Sequence, residues 1–164
     1  MLEIDPASPK SGELSKAGLT RFLNRAREAV GLHGEVEVLL TTDRELKRLN
    51  REFRGKNQPT DVLSFPSPSE IAAEHAGDLA ISLDTAARQA ERFGCSLRDE
   101  VRILLLHGLL HLSGLDHETD QGEMSLREEE LRLRFGLKSG LIGRATGQRP
   151  VRTVRTTSRR AERL

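Results

Sequence analysis

The stretch "LLLHGLLHLSGLDHETD", Leu104 to Asp120, constrains this chain more than any other. Its leucines call for burial, yet it carries His107, His111 and His117, and an imidazole placed in a core needs partners for its ring nitrogens. His107 and His111 are four apart, so on a helix they project from one face about one turn apart. Gly114 ends that helix and lets the chain double back, which can bring His117 over the same face. Three imidazoles converging on one point give a divalent ion three nitrogen ligands and leave the fourth tetrahedral position open, the arrangement of a catalytic zinc site. His33 and His75 fall in expected loops and read as surface residues, and Cys95 reads as small core packing.

At 164 residues the chain has the length of one domain and enough residues to bury a core without staples. Its single cysteine cannot form an internal disulfide, which fits a reducing compartment. The N-terminal "MLEIDPASPKSGELSK" lacks the apolar segment of a secretory signal. The longest apolar stretch, "VRILLLHGLLHLSG", is too short and too interrupted by histidine to span a membrane, so the expectation is a soluble cytoplasmic protein. Five Phe, with no Tyr or Trp, leave little material for stacking platforms under single-stranded bases. The net charge of +1 hides an asymmetry: from Lys138 onward eight Lys/Arg face Glu162 alone, giving +7, whereas 18 basic and 24 acidic residues before it give −6. A basic tail on an acidic body suggests a polyanionic partner, although a solubilising tail has the same composition.

Hydrophobic periodicity predicts about four strands and five helices. "MLEID", "EVEVLLTT", a segment from about Asp61 to Phe65, and "GDLAIS" read as strands. Helical spacing runs from Ser15 through Leu19, Phe22, Leu23, Ala26 and Val30 to Gly31. A second helix carries Leu46, Leu49 and Phe53 behind the capping-box pair Thr42 and Glu45. Asp84 is placed to cap a third helix, Ser96 a fourth from Leu97 to about Ser113, and a fifth spans roughly Gly122 to Phe135. Such partly alternating elements predict an α+β single domain built on a small mixed β-sheet. The domain is expected over residues 1–137, with a basic, disordered tail over 138–164.

The histidine pattern has a superficial likeness to metzincin proteases, whose motif is His-Glu-x-x-His followed by Gly-x-x-His. Here Gly108 occupies the Glu position and His117 lies five intervening residues past His111. A protease of that type uses the Glu as general base, so zinc metalloprotease activity is disfavoured. The full set of motifs resembles the YbeY family of bacterial endoribonucleases. "HGLLHLSGLDH", "LNREFRGKNQPTDVLSFP", "GDLAIS" and "DHETDQGEMSLREEE" follow that family's motifs in order, over much of Leu49 to Glu130.

The resemblance implies a mixed sheet flanked by helices with a metal site at a cleft. It also implies a single-strand-specific, metal-dependent endoribonuclease acting in ribosomal RNA maturation, in small-subunit rRNA 3′ end processing, and in ribosome quality control. By the same resemblance, one zinc ion sits on His107, His111 and His117, Arg54 is the active-site arginine, and the partners are ribosomal RNA and the small subunit or its proteins. A guanidinium at Arg54 suits phosphoryl oxygens because its planar fork matches their geometry and stays charged. Asp116 reads as a partner for an imidazole, ahead of a base for the water. Thr60, Asp61 and Ser64 read as turn residues. A non-catalytic RNA-binding assembly factor with a structural metal is the remaining alternative. The insert-like "SPSEIAAEHA" before Gly77 and the basic tail depart from a compact family member.

Overall fold

The computed structural model describes residues 1–58 and 60–145. Its elements are β1 (Leu2–Ile4), α1 (Lys16–Val30), β2 (Glu35–Thr41), α2 (Asp43–Arg54), β3 (Val62–Pro66), β4 (His75–Ser82), α3 (Leu83–Phe93), α4 (Leu97–Leu112), α5 (Glu123–Arg134) and the single turn α6 (Leu141–Gly143). Hydroxyl side chains start four of the helices: Ser15, Thr42, Ser82 and Ser96 accept the amides of Gly18, Glu45, Thr85 and Asp99, groups that have no partner within a first helical turn. Asp84, expected to cap α3, lies inside its first turn and accepts the Asp43 amide at 2.8 Å instead. The cap is Ser82, because β4 runs without a loop into α3 and its last residue is already placed there.

The four strands form one sheet in the order β1-β2-β4-β3. β1, β2 and β4 are parallel, and β3 is antiparallel to β4, so the sheet is mixed. Alternation along the strands divides its faces. Val36, Val38 and Leu40 of β2, with Leu79 and Ile81 of β4, pack into the main core with α1, α3 and α4. On the other face Leu63 and Ala80 meet Leu46 of α2, with Leu49 and Phe65 beside them. The insert is a compact series of turns that leads into β4 at His75, two residues before the expected start. His75 therefore belongs to a strand rather than a loop, and its Nε2 lies 3.3 Å from Asp78 Oδ1.

Helix α4 is the hub. From Glu100 to Leu112 every residue except Arg102 is buried, which explains a leucine pattern with little amphipathic bias. It packs against α1, α3, α5, α6, β3 and β4. No helix among the described residues is long and apolar enough to cross a membrane.

Packing continues past Leu137. Leu141 and Ile142 are buried in the main core, and Arg144 is 2% exposed. Its guanidinium donates to both carboxylate oxygens of Glu100 at 2.8 Å, and its Nε donates to Ser139 Oγ at 2.8 Å. Phe93 lies under it at 4.1 Å. Burial alone would lower the Arg144 pKa, but the hydrogen bonds and charge of Glu100 raise it, so the guanidinium stays charged. The ordering signal was a buried counterion 44 residues away in the sequence, which local composition cannot reveal. Residues 146–164, most of the expected tail, lie outside the described residues.

Cys95 sits beside this pair, donating to Glu100 Oε1 at 3.4 Å. Burial and the Glu100 carboxylate push its thiol up to about 11. Removing Arg144 strands the Glu100 charge in the core, a change that costs about 3–5 kcal/mol in comparable buried pairs. Arg144→Ala should lower Tm by roughly 6–20 °C at this chain size, measured by calorimetry beside the parent protein.

Candidate metal centre

The helical phase of α4 puts His107 and His111 on one face, with ring centroids 4.7 Å apart. Each imidazole is oriented through its Nδ1. His107 Nδ1 lies 2.7 Å from Glu128 Oε2, a carboxylate that can only accept, so this nitrogen carries the proton. His111 Nδ1 donates to the Leu115 carbonyl at 3.0 Å. That hydrogen bond depends on Gly114, whose φ of 103° turns the chain back at the end of α4 so that Leu115 lies over the last turn.

With both Nδ1 atoms protonated, the lone pairs are left on the two Nε2 atoms, which face each other at 3.1 Å. Two acceptors at that separation repel each other. A cation between them removes the conflict, and zinc–nitrogen bonds of about 2.0–2.1 Å in a tetrahedron set a nitrogen–nitrogen edge of roughly 3.3–3.4 Å. His117, half-buried past the Gly114 turn, brings its ring to 5.6 Å from His107 and 5.8 Å from His111. One ligand atom from each of the three histidines lies within 4.8 Å of the others. The donor set and spacing fit one metal ion.

Glu128 is the residue that the sequence reading missed. It is 2% exposed and stands on α5 with the buried Met124 and Leu131, at helical spacing of four and three. An acid occupying a core position of an amphipathic helix was the available signal, obscured by Glu129 and Glu130 at the two following positions. Asp116 has a different role from the expected one. Its carboxylate accepts the Glu118 amide at 3.1 Å and so shapes the turn that carries His117, while a backbone carbonyl serves His111.

Gly108 stands where a metzincin has its general base. A Cβ there would lie 2.8 Å from a methyl carbon of Leu79 in β4, so this position presses on the sheet and has no room for a carboxylate. Arg54 is not one of the converging trio. It is the last residue of α2, half-buried, and is followed by Gly55 in the left-handed conformation. The chain from there to β3 is tied down by Asn50 Nδ2, which donates to the Gln58 carbonyl at 2.9 Å, and by the buried Asp61. Asp61 Oδ1 accepts the Val62 amide, its Oδ2 accepts from Gln89, and its carbonyl accepts the Ser82 amide. Thr60 and Ser64 are buried on either side, consistent with structural roles.

A mixed four-stranded sheet with helices on both faces, and three histidines placed so that they could hold a metal ion, define an α+β domain with a candidate metal centre. Residues 9–136 match the family model described as endoribonuclease YbeY. An endoribonuclease YbeY of Koribacter versatilis is 52% identical over 137 residues, covering 84% of this chain and 88% of that protein. The counterpart in Solibacter usitatus is 47% identical, covering 80% and 86%. The solution structure of TM1509 from Thermotoga maritima superposes with a TM-score of 0.57 at 28% identity, over 83% of this chain and 90% of the other. The chain belongs to the endoribonuclease YbeY family.

If the trio holds one ion, replacing His107, His111 or His117 singly by Ala should reduce bound metal well below one per chain. Elemental analysis of the purified variants tests this, and unchanged stoichiometry in all three would dismiss the site.

Proposed function

We propose that this protein is a single-strand-specific endoribonuclease that uses one zinc ion, held by His107, His111 and His117, to mature ribosomal RNA at the 3′ end of the small-subunit rRNA and in ribosome quality control. Its partners on this reading are ribosomal RNA and the small ribosomal subunit or its proteins. Membership of an endoribonuclease family supports the reaction class. The observation that carries the metal is the pair of facing Nε2 atoms with both Nδ1 atoms committed elsewhere. When bound, the ion supplies Lewis acidity toward a phosphodiester.

The chain's own contribution is orientation and charge. Glu128 and the Leu115 carbonyl fix the tautomers of His107 and His111, so their Nε2 atoms need no reorganisation to serve as ligands. Arg54 donates to the phosphoryl oxygens, where negative charge gathers as the bond breaks. Three exposed cations of α2, Arg44, Lys47 and Arg51, share with Arg54 an arc of about 80° around the helix at 100° per residue. None of these three has an ion-pair partner among the described residues. The acids of the same helix are held by arginines: Asp43 by Arg88, and Glu45 and Glu52 by Arg48. That face offers positive charge to an RNA backbone leading to Arg54.

Arg54→Lys keeps the charge but loses the bidentate fork, so it should cut RNA more slowly, and Arg54→Ala more slowly still. The loss expected for the Ala variant is on the order of 3 kcal/mol, roughly a hundredfold in single-turnover rate. Metal content and Tm should be unchanged in both; full activity in Arg54→Ala removes this residue from the reaction. Purified parent protein that binds ribosomal RNA without cutting it, metal present, would instead indicate an assembly factor.

The C-terminal cations are expected to add affinity without chemistry. Truncation after Ala145 keeps the packed Arg144 and removes six arginines. It should weaken RNA binding at low salt and flatten the slope of log K against log salt by about 0.7 for each phosphate that is no longer neutralised. An unchanged slope and affinity would make those residues a solubilising end.

A further inference from the structure

We propose that the C-terminal strap, Ser139 to Arg144, is a working part of the metal centre: it seats Glu128, and Glu128 in turn aims His107. The inference rests on the metal reading of the three histidines. Its basis is the sharing of one carboxylate. Glu128 Oε2 accepts from His107 Nδ1 at 2.7 Å, and Glu128 Oε1 accepts the Ile142 amide at 2.7 Å. The same side chain therefore joins a candidate ligand to a backbone group of the strap.

Close packing enforces the arrangement. A Cβ on Gly140 would lie 2.6 Å from Glu128 Oε1 and 3.0 Å from both its Cδ and Cγ, so any other residue here would have to displace this carboxylate from its seat. At its far end the strap is anchored by Arg144 on Glu100. Glu100 lies seven residues before His107, two turns along the same face of α4. One short segment thus grips the helix near its start and braces the group that orients its first histidine.

Only a carboxylate satisfies both neighbours. An amide at position 128 has one accepting and one donating end. If its oxygen takes the Ile142 N–H, its NH₂ faces His107 Nδ1, which must then give up its proton and leave Nε2 protonated, where a metal needs the lone pair. If the amide is turned round, its NH₂ opposes the Ile142 N–H. Glu128→Gln, nearly isosteric, therefore tests orientation with little change of volume. Gly140→Ala presses a methyl onto Glu128 from the strap side and keeps the carboxylate itself, so it tests how the strap seats that group. Coupling of this kind is reciprocal: whatever factor strap docking adds to metal affinity, metal binding returns to strap docking.

The experiment measures zinc affinity of the full chain by competition with a chromogenic chelator, and amide hydrogen exchange at Ile142 with and without zinc. Leu19→Ala, a core truncation in α1, calibrates the effect of lost stability alone. Glu128→Gln and Gly140→Ala should each weaken zinc binding by about 10–100-fold, the usual range for groups that orient a ligand. Leu19→Ala should change it less than threefold. Zinc should slow exchange at Ile142 in the parent protein, and that slowing should disappear in Glu128→Gln. Affinities of both site variants within twofold of the parent would overturn the role of the strap while leaving the metal site standing. A parent protein that binds no zinc would overturn both.

Discussion

Helix α4 is buried on almost every side, and its polar groups set the demands that the later elements meet. A helix in that position gains a large hydrophobic contribution from its leucines, but any polar group on it must be satisfied within the protein. Three of its buried residues are polar, and each is met from a different part of the chain. Arg144 of the strap meets Glu100, Glu128 of α5 meets His107, and the Leu115 carbonyl just past the helix meets His111. The elements after α4 are arranged around those needs: the turn at Gly114, the placement of α5 and the return of the strap each satisfy one of them.

The same demands account for the chemistry the site can support. An imidazole in water exchanges tautomers freely, whereas a buried one with a fixed acceptor at Nδ1 presents a lone pair at Nε2. Doing this twice, one helical turn apart, creates a local arrangement of two acceptors that is unfavourable without a cation. His117 approaches from the far side of a glycine turn and adds a third donor. The sheet contributes indirectly: Leu79 of β4 sets how closely α4 can lie, and Gly108 is the residue that permits that approach.

The two faces of the sheet divide the work. The α4 face holds the histidines, whereas α2 packs on the other face through Leu46 and Leu49 and leaves its basic side exposed. The entry to β3 lies a few residues beyond Arg54. It is held by Asp61, whose carboxylate and carbonyl reach β3, α3 and the end of β4.

Much of the fold was legible in the sequence because its signals are local. The alternation of Val36, Val38 and Leu40, the caps Ser15, Thr42 and Ser96, and the four-residue spacing of His107 and His111 each follow from backbone geometry over a few residues. Membership of the family could be read there too, since its motifs are contiguous. Other features rest on groups distant in the chain. Glu128 becomes His107's partner because α5 packs on α4, and Arg144 becomes a core residue because Glu100 waits 44 positions earlier. Composition marked Arg144 as part of a basic tail; its buried counterion makes it part of the fold. Ser82 replaces Asp84 as the cap of α3 because a strand delivers it there. A sequence states which groups must be satisfied, and only packing chooses the groups that satisfy them, because burial makes each unmet donor, acceptor or charge costly regardless of how far away its partner lies in the chain.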